Sequence, residues 1–148
     1  HNLSAVWLWP NVDAGTDIIS KKLRIFKERD KEKDRIVFIK NLSPEDYLKL
    51  IYNSICIVGN SSSGIRESSY LGIPSVNIGS RQSFREVSKN VISCDHNPKL
   101  IFNSINNKKK KFKYRSSKLY GSGKASKKII KILKKIKSIN IKKKISYI

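Results

Sequence analysis

Short, largely apolar runs alternate with amphipathic segments of helical period, and this alternation most narrows the folds open to the chain. Ala5-Val-Trp-Leu-Trp9, closed by Pro10, reads as a buried strand. Ile36-Val-Phe-Ile39, Ile55-Cys-Ile-Val58, Pro74-Ser-Val-Asn-Ile78 and Val91-Ile-Ser-Cys94 read as four more. Between the first two, Ile18, Ile19, Leu23 and Phe26 recur with helical period from Thr16 or Asp17. Ser43-Pro44-Glu45-Asp46 combines a cap, a first-turn proline and two acids at the positive end of a helix dipole. Ile65 to Leu71 forms the next helix, ended by Gly72, and Asp95, Asn97 and Pro98 start another. Short apolar strands separated by helices predict an α/β, doubly wound fold: a parallel sheet covered on both faces.

Charge divides the chain. Residues 108–148 hold 17 Lys/Arg and no acid, whereas residues 1–107 hold 15 basic and 11 acidic residues. A nearly balanced domain over 1–107 and a basic C-terminal segment over 108–148 are therefore expected. Within that segment Ile129, Ile130, Leu133 and Ile136 fall at three- and four-residue spacing among lysines. This predicts an amphipathic helix packing its stripe on the domain with lysines outward. A basic tail also suits phosphate backbones or an anionic membrane surface, which keeps a non-catalytic basic module as an alternative. The body shows no matching motif, so no nucleic-acid partner is expected.

No apolar run approaches the roughly 18–20 residues of a membrane span, and the first residues lack signal-peptide features. Cys56 and Cys94, with the isolated His1 and His96, give neither a zinc spacing nor a disulfide framework, so no metal and a reduced, cytoplasmic setting are expected. The chain contains no methionine. A longer parent, with its missing part on the N-terminal side, is expected from that.

In parallel sheets of this kind ligands bind beyond the carboxyl ends of the strands. Gly59-Asn-Ser-Ser-Ser-Gly64 occupies that place, between the third strand and the next helix. Its glycines permit close backbone approach, and its amides with the hydroxyls of Ser61, Ser62 and Ser63 can donate to phosphate oxygens. Glu67, one turn on, has two acceptor oxygens for the two hydroxyls of a ribose. Arg81, just after the fourth strand, can meet a diphosphate or a carboxylate. The loop is equally a good helix cap. It is not a Walker loop, because no Gly-Lys-Ser/Thr follows; the G-x-G-x-x-G spacing is absent, and Gly121-Ser-Gly123-Lys-Ala-Ser126 follows no expected strand. A serine nucleophile would need a G-x-S-x-G elbow with His and acid partners, and the loop has no such elbow. The residues alone therefore indicate an anion- or nucleotide-binding α/β domain.

Four segments, in order, resemble the C-terminal half of the UDP-N-acetylglucosamine 2-epimerase family, in its hydrolysing branch. Trp9-Pro-Asn-Val-Asp-Ala-Gly15 is similar to the family's P-N-x-D-A-G segment, and Gly59-Asn-Ser-Ser-Ser-Gly-Ile-Arg-Glu67 to its G-N-S-S-x-G-x-x-E loop. Gly72-Ile-Pro-Ser-Val-Asn-Ile-Gly-Ser-Arg-Gln82 resembles the following strand with its G-x-R-Q end, and Tyr120-Gly-Ser-Gly123 the Y-G-x-G-x-A close. Non-hydrolysing relatives tend to read D-S-G-G in the loop and R-x-x-T-E-R-P-E after the strand. One departure stands out: the hydrolysing branch often carries Gly where this chain has Phe84.

The resemblance implies a two-domain, glycosyltransferase-B type architecture, with this chain as its Rossmann-like, UDP-binding half. Matched residue by residue, Asn11, Leu42, Ser61, Ser62, Glu67 and Arg81 would contact UDP. Leu42 would meet the uracil through its backbone, Ser61 and Ser62 the diphosphate, Glu67 the ribose and Arg81 the phosphate side. The parent would convert UDP-N-acetylglucosamine to N-acetylmannosamine and UDP, as in sialic-acid synthesis, without metal or nicotinamide cofactor. Its acid and base groups would lie mostly in the missing half, so no catalytic residue is expected in this chain and no turnover by it alone. A homo-oligomeric parent is compatible with this reading. A UDP-diacetylbacillosamine 2-epimerase, or a glycosyltransferase of the same architecture, would keep the same loop and carboxylate.

Overall fold

A computed structural model describes residues 3–10, 16–29, 35–109 and 113–138. The chain divides into two compact units, residues 1–50 and 51–148.

In the first unit, strand β1 (Ala5–Leu8) pairs in parallel with β2 (Ile36–Ile39), Trp7 opposite Phe38. Helix α1 (Thr16–Arg29) connects them, and the rings of Trp7, Phe26 and Phe38 gather with centroids 6.0 Å apart for Trp7–Phe26 and for Trp7–Phe38. Leu23 of α1 is the unit's one buried large aliphatic residue among those described. The expected burial of the first strand is not met, since three of the four β1 residues are exposed. A ladder of two strands has two edges and offers too little area to cover both faces. Helix α2 (Pro44–Asn53) starts as expected. Ser43 Oγ accepts from the amide of Asp46 at 3.1 Å and donates to its carboxylate at 2.7 Å, a reciprocal cap of the helix start.

The second unit holds a three-stranded parallel sheet ordered β3 (Ile57–Gly59), β4 (Ser75–Ile78), β5 (Val91–Cys94). β4 lies in the middle, and its Ser75, Val76 and Asn77 are buried. The strands thus form two ladders, and only β4 has the fully covered character expected of the whole sheet. Ile65 and Ile73, both wholly buried, flank helix α3 (Glu67–Leu71), which ends as expected at Gly72, left-handed at φ 72°. Asn90, 1% exposed, links α3 to the sheet's floor. Its amide donates to Ser68 Oγ at 3.0 Å and to the carbonyl of Ile73 at 2.7 Å, and the Ser69 hydroxyl lies 2.9 Å from its Oδ1.

Helix α4 (Pro98–Lys109) is capped by Asn97, whose side chain accepts from the amides of Lys99 and Leu100. It runs across the 107/108 boundary expected from charge. The following chain then straps onto α3, the Tyr114 amide donating to Gly72 O and the Ser117 amide to Ser69 O. Helix α5 (Ala125–Leu133) forms where the stripe predicts it, yet none of its residues is buried; Ile129, Ile130 and Leu133 are exposed, as is Ile136 beyond its end. The expected packing of this helix on the domain is therefore not observed. An apolar stripe becomes core only when a complementary apolar surface lies against it.

Candidate ligand site

The loop at the carboxyl end of β3 is built by its serines. Ser61, in extended conformation, caps a 3₁₀ turn over Ser62–Gly64, its Oγ accepting from the Ser63 amide at 3.4 Å. The amides of Ile65 and Arg66 both donate to the carbonyl of Ser62, so the chain passes from the turn almost directly into α3. Gly64 lies so near the sheet that a Cβ there would come within 2.9 Å of Ser75 Oγ. That close approach is what the loop's last glycine provides.

Glu67 opens α3 and is half-buried. Its Oε2 is buried with no hydrogen-bond partner. A buried carboxylate oxygen without a donor costs free energy until one is supplied, so this atom is an acceptor in waiting. Ser61, Ser62 and Glu67 are thus gathered on one strand–turn–helix segment, as expected.

Arg81 is exposed on the loop that leaves β4. Gln82, the next residue, ties that loop to the serine turn: its Nε2 donates to the carbonyl of Asn60 at 2.8 Å. Gln82 is buried, and its Oε1 also lacks a partner. Reading the sequence for charged groups and hydroxyls passed over this residue. Its signal in the sequence is the G-x-R-Q end, in which it follows Arg81. The same loop holds Phe84 at φ 66°, the one non-glycine residue with positive φ among those described. A left-handed backbone at that position accounts for the glycine that the hydrolysing branch often carries there.

Leu42, half-buried, belongs to the first unit, in the segment between β2 and α2. Asn11 lies outside the described residues, as does Asp13. No group of three or more His, Cys, Asp or Glu side chains suited to a metal ion occurs among the described residues. No helix among them is long and apolar enough to cross a membrane.

The chain is 34% identical over 135 residues to a UDP-N,N'-diacetylbacillosamine 2-epimerase (hydrolyzing) of Legionella pneumophila, covering 91% of this chain and 35% of that protein. It is 36% identical over 98 residues to a UDP-N-acetylglucosamine 2-epimerase of Neisseria meningitidis, covering 66% of this chain and 25% of that one. A GDP/UDP-N,N'-diacetylbacillosamine 2-epimerase (hydrolyzing) of Campylobacter jejuni is 32% identical over 96 residues, 65% of this chain and 24% of its own length. The chain thus spans about a quarter to a third of the length of these relatives. Residues 1–134 match the family described as UDP-N-acetylglucosamine 2-epimerase, and with a parallel α/β fold and a serine loop followed by Glu67, this chain belongs to that family.

Proposed function

We propose that this chain is the UDP-binding half of a hydrolysing UDP-sugar 2-epimerase, whose parent releases N-acetylmannosamine and UDP from UDP-N-acetylglucosamine. The unpartnered, buried Oε2 of Glu67 beside the serine turn carries the reading. A ribose hydroxyl donating to that oxygen removes its desolvation cost, which gives a nucleoside a specific reason to bind there. Ser61 and Ser62 with the turn amides then face the diphosphate, and Arg81 balances its charge.

In the parent, the proton at C2 and the UDP at C1 of the sugar leave in an elimination that forms a glycal. Water then adds across the double bond, hydroxyl to C1 and proton to C2 from the opposite face, giving the inverted sugar. This half contributes by stabilising the departing diphosphate with hydroxyls, amides and a guanidinium, a role that needs no cofactor. Proton transfer at C2 falls to the rest of the parent, and this chain alone does not turn over substrate. A second sugar, UDP-diacetylbacillosamine, is supported by the similarity to the Legionella UDP-N,N'-diacetylbacillosamine 2-epimerase, which aligns with 91% of the chain.

Calorimetry with UDP and ADP, at two salt concentrations, tests the reading. UDP should bind in preference to ADP, and Glu67→Ala should weaken UDP by about 10- to 100-fold, as expected for hydrogen bonds to a charged acceptor. Binding that ignores the base, survives Glu67→Ala and collapses with salt would instead assign the affinity to the basic tail.

A further inference from the structure

Phe84 combines two features that rarely occur together. Its backbone is left-handed at φ 66°, a region that bulky L-residues seldom hold, and its side chain is fully exposed (108%). Nothing among the described residues repays that conformation, because the exposed ring packs against none of them. The loop around it is nevertheless fixed on both sides. Gln82 is held by the Asn60 carbonyl, the Ser83 and Arg85 amides donate to Ser80 and Gln82 carbonyls, and Tyr120 Oη donates to the Glu86 carbonyl at 2.5 Å. A phenyl ring is thus held out into solvent by a strained residue in an anchored loop. That loop leaves the carboxyl end of the central strand and is tied to the serine turn, and strain of this kind gathers where a chain clamps a ligand.

We propose that Phe84 covers one ring face of the bound nucleotide sugar, acting as a specificity-determining residue of the site. The inference rests on the proposed nucleotide site and extends it. Stacking on a ring removes the phenyl face from water. The ring covered is either the pyrimidine or the pyranose, and both offer a face of suitable size.

The test measures thermal unfolding, self-association and binding of UDP and UDP-N-acetylglucosamine, for this chain and its Phe84→Gly and Phe84→Trp variants. Phe84→Gly should raise Tm by about 1–4 °C, because glycine accepts the left-handed backbone and no packing is lost. The same variant should bind about three- to tenfold more weakly, while Phe84→Trp keeps the affinity. Weakening for both ligands assigns the pyrimidine; weakening for the sugar nucleotide alone assigns the pyranose. Unchanged binding by Phe84→Gly, with Glu67→Ala still damaging it, overturns this inference and leaves the nucleotide site standing. A fall in Tm that parallels the lost affinity makes the ring structural and overturns it too. So does a concentration-dependent dimer that Phe84→Gly abolishes, since a second copy would then cover the ring. Failure of the unmodified chain to bind either ligand removes the nucleotide site and this inference together.

Discussion

Strand β4 and helix α5 are both legible in the sequence, and the protein treats them in opposite ways. β4 mixes polar and apolar residues, yet Ser75, Val76 and Asn77 are all buried between two strands. α5 carries a clean apolar stripe among lysines and buries none of its residues. Pattern specifies which element forms, whereas burial depends on what the topology lays against it. The middle strand of a sheet receives its neighbours from the ladder itself, and a helix must find a surface.

The strongest way to sharpen this contrast is to cut into the wholly buried flank of the sheet. Ile65→Ala should cost about 2–5 kcal/mol in urea unfolding, since it removes a buried aliphatic side chain and leaves a cavity. A loss under about 1 kcal/mol, the range of a surface change, would mean that the region repacks freely and that the contrast is overstated.

A moderate effect is expected at Cys56. Burial pushes this thiol up from 9.0 to about 11, against the opposing pull of Lys108 and a hydrogen bond from the backbone of Val76. The folded state therefore holds its proton more tightly than the unfolded chain does. The sign follows: stability is fully present below about pH 9 and declines as pH rises through 11. Cys56→Ala should flatten that decline, and Cys56 in the folded chain should alkylate slowly at pH 8. Rapid labelling of Cys56 without unfolding would contradict the burial.

The smallest effect belongs to α5. Leu133→Ala should change stability by no more than about 0.5 kcal/mol, the usual range for an exposed position. A cost of several times that would show the stripe covered in solution, and the contrast with β4 would fail.

Much of the fold could be read from residue patterns. β2 and β5 occupy the runs expected of them, Ser43 and Asn97 cap the helices they precede, and Gly72 ends α3. Each of these rests on chemistry contained within a few residues. What escaped was set by distant partners: the division at residues 50 and 51, the exposure of β1, and the strap made by Tyr114 and Ser117 on α3 and its end. The same distinction holds at the site. The grouping of Ser61, Ser62 and Glu67 was legible because one segment carries them, whereas Gln82 joins Asn60 across 22 positions. The left-handed backbone of Phe84 is signalled neither by its own side chain nor by its neighbours, and only the glycine expected there from the family resemblance pointed to it.

The Asn90 junction has a kinetic consequence. One amide side chain holds the Ser68 hydroxyl and the Ile73 carbonyl together, beneath the segment that presents Glu67. Loosening α3 from the sheet would break these bonds in one cooperative event, so thermal fluctuations find easier outlets elsewhere. Any motion of the serine turn that leaves these bonds intact is therefore taken up ahead of α3.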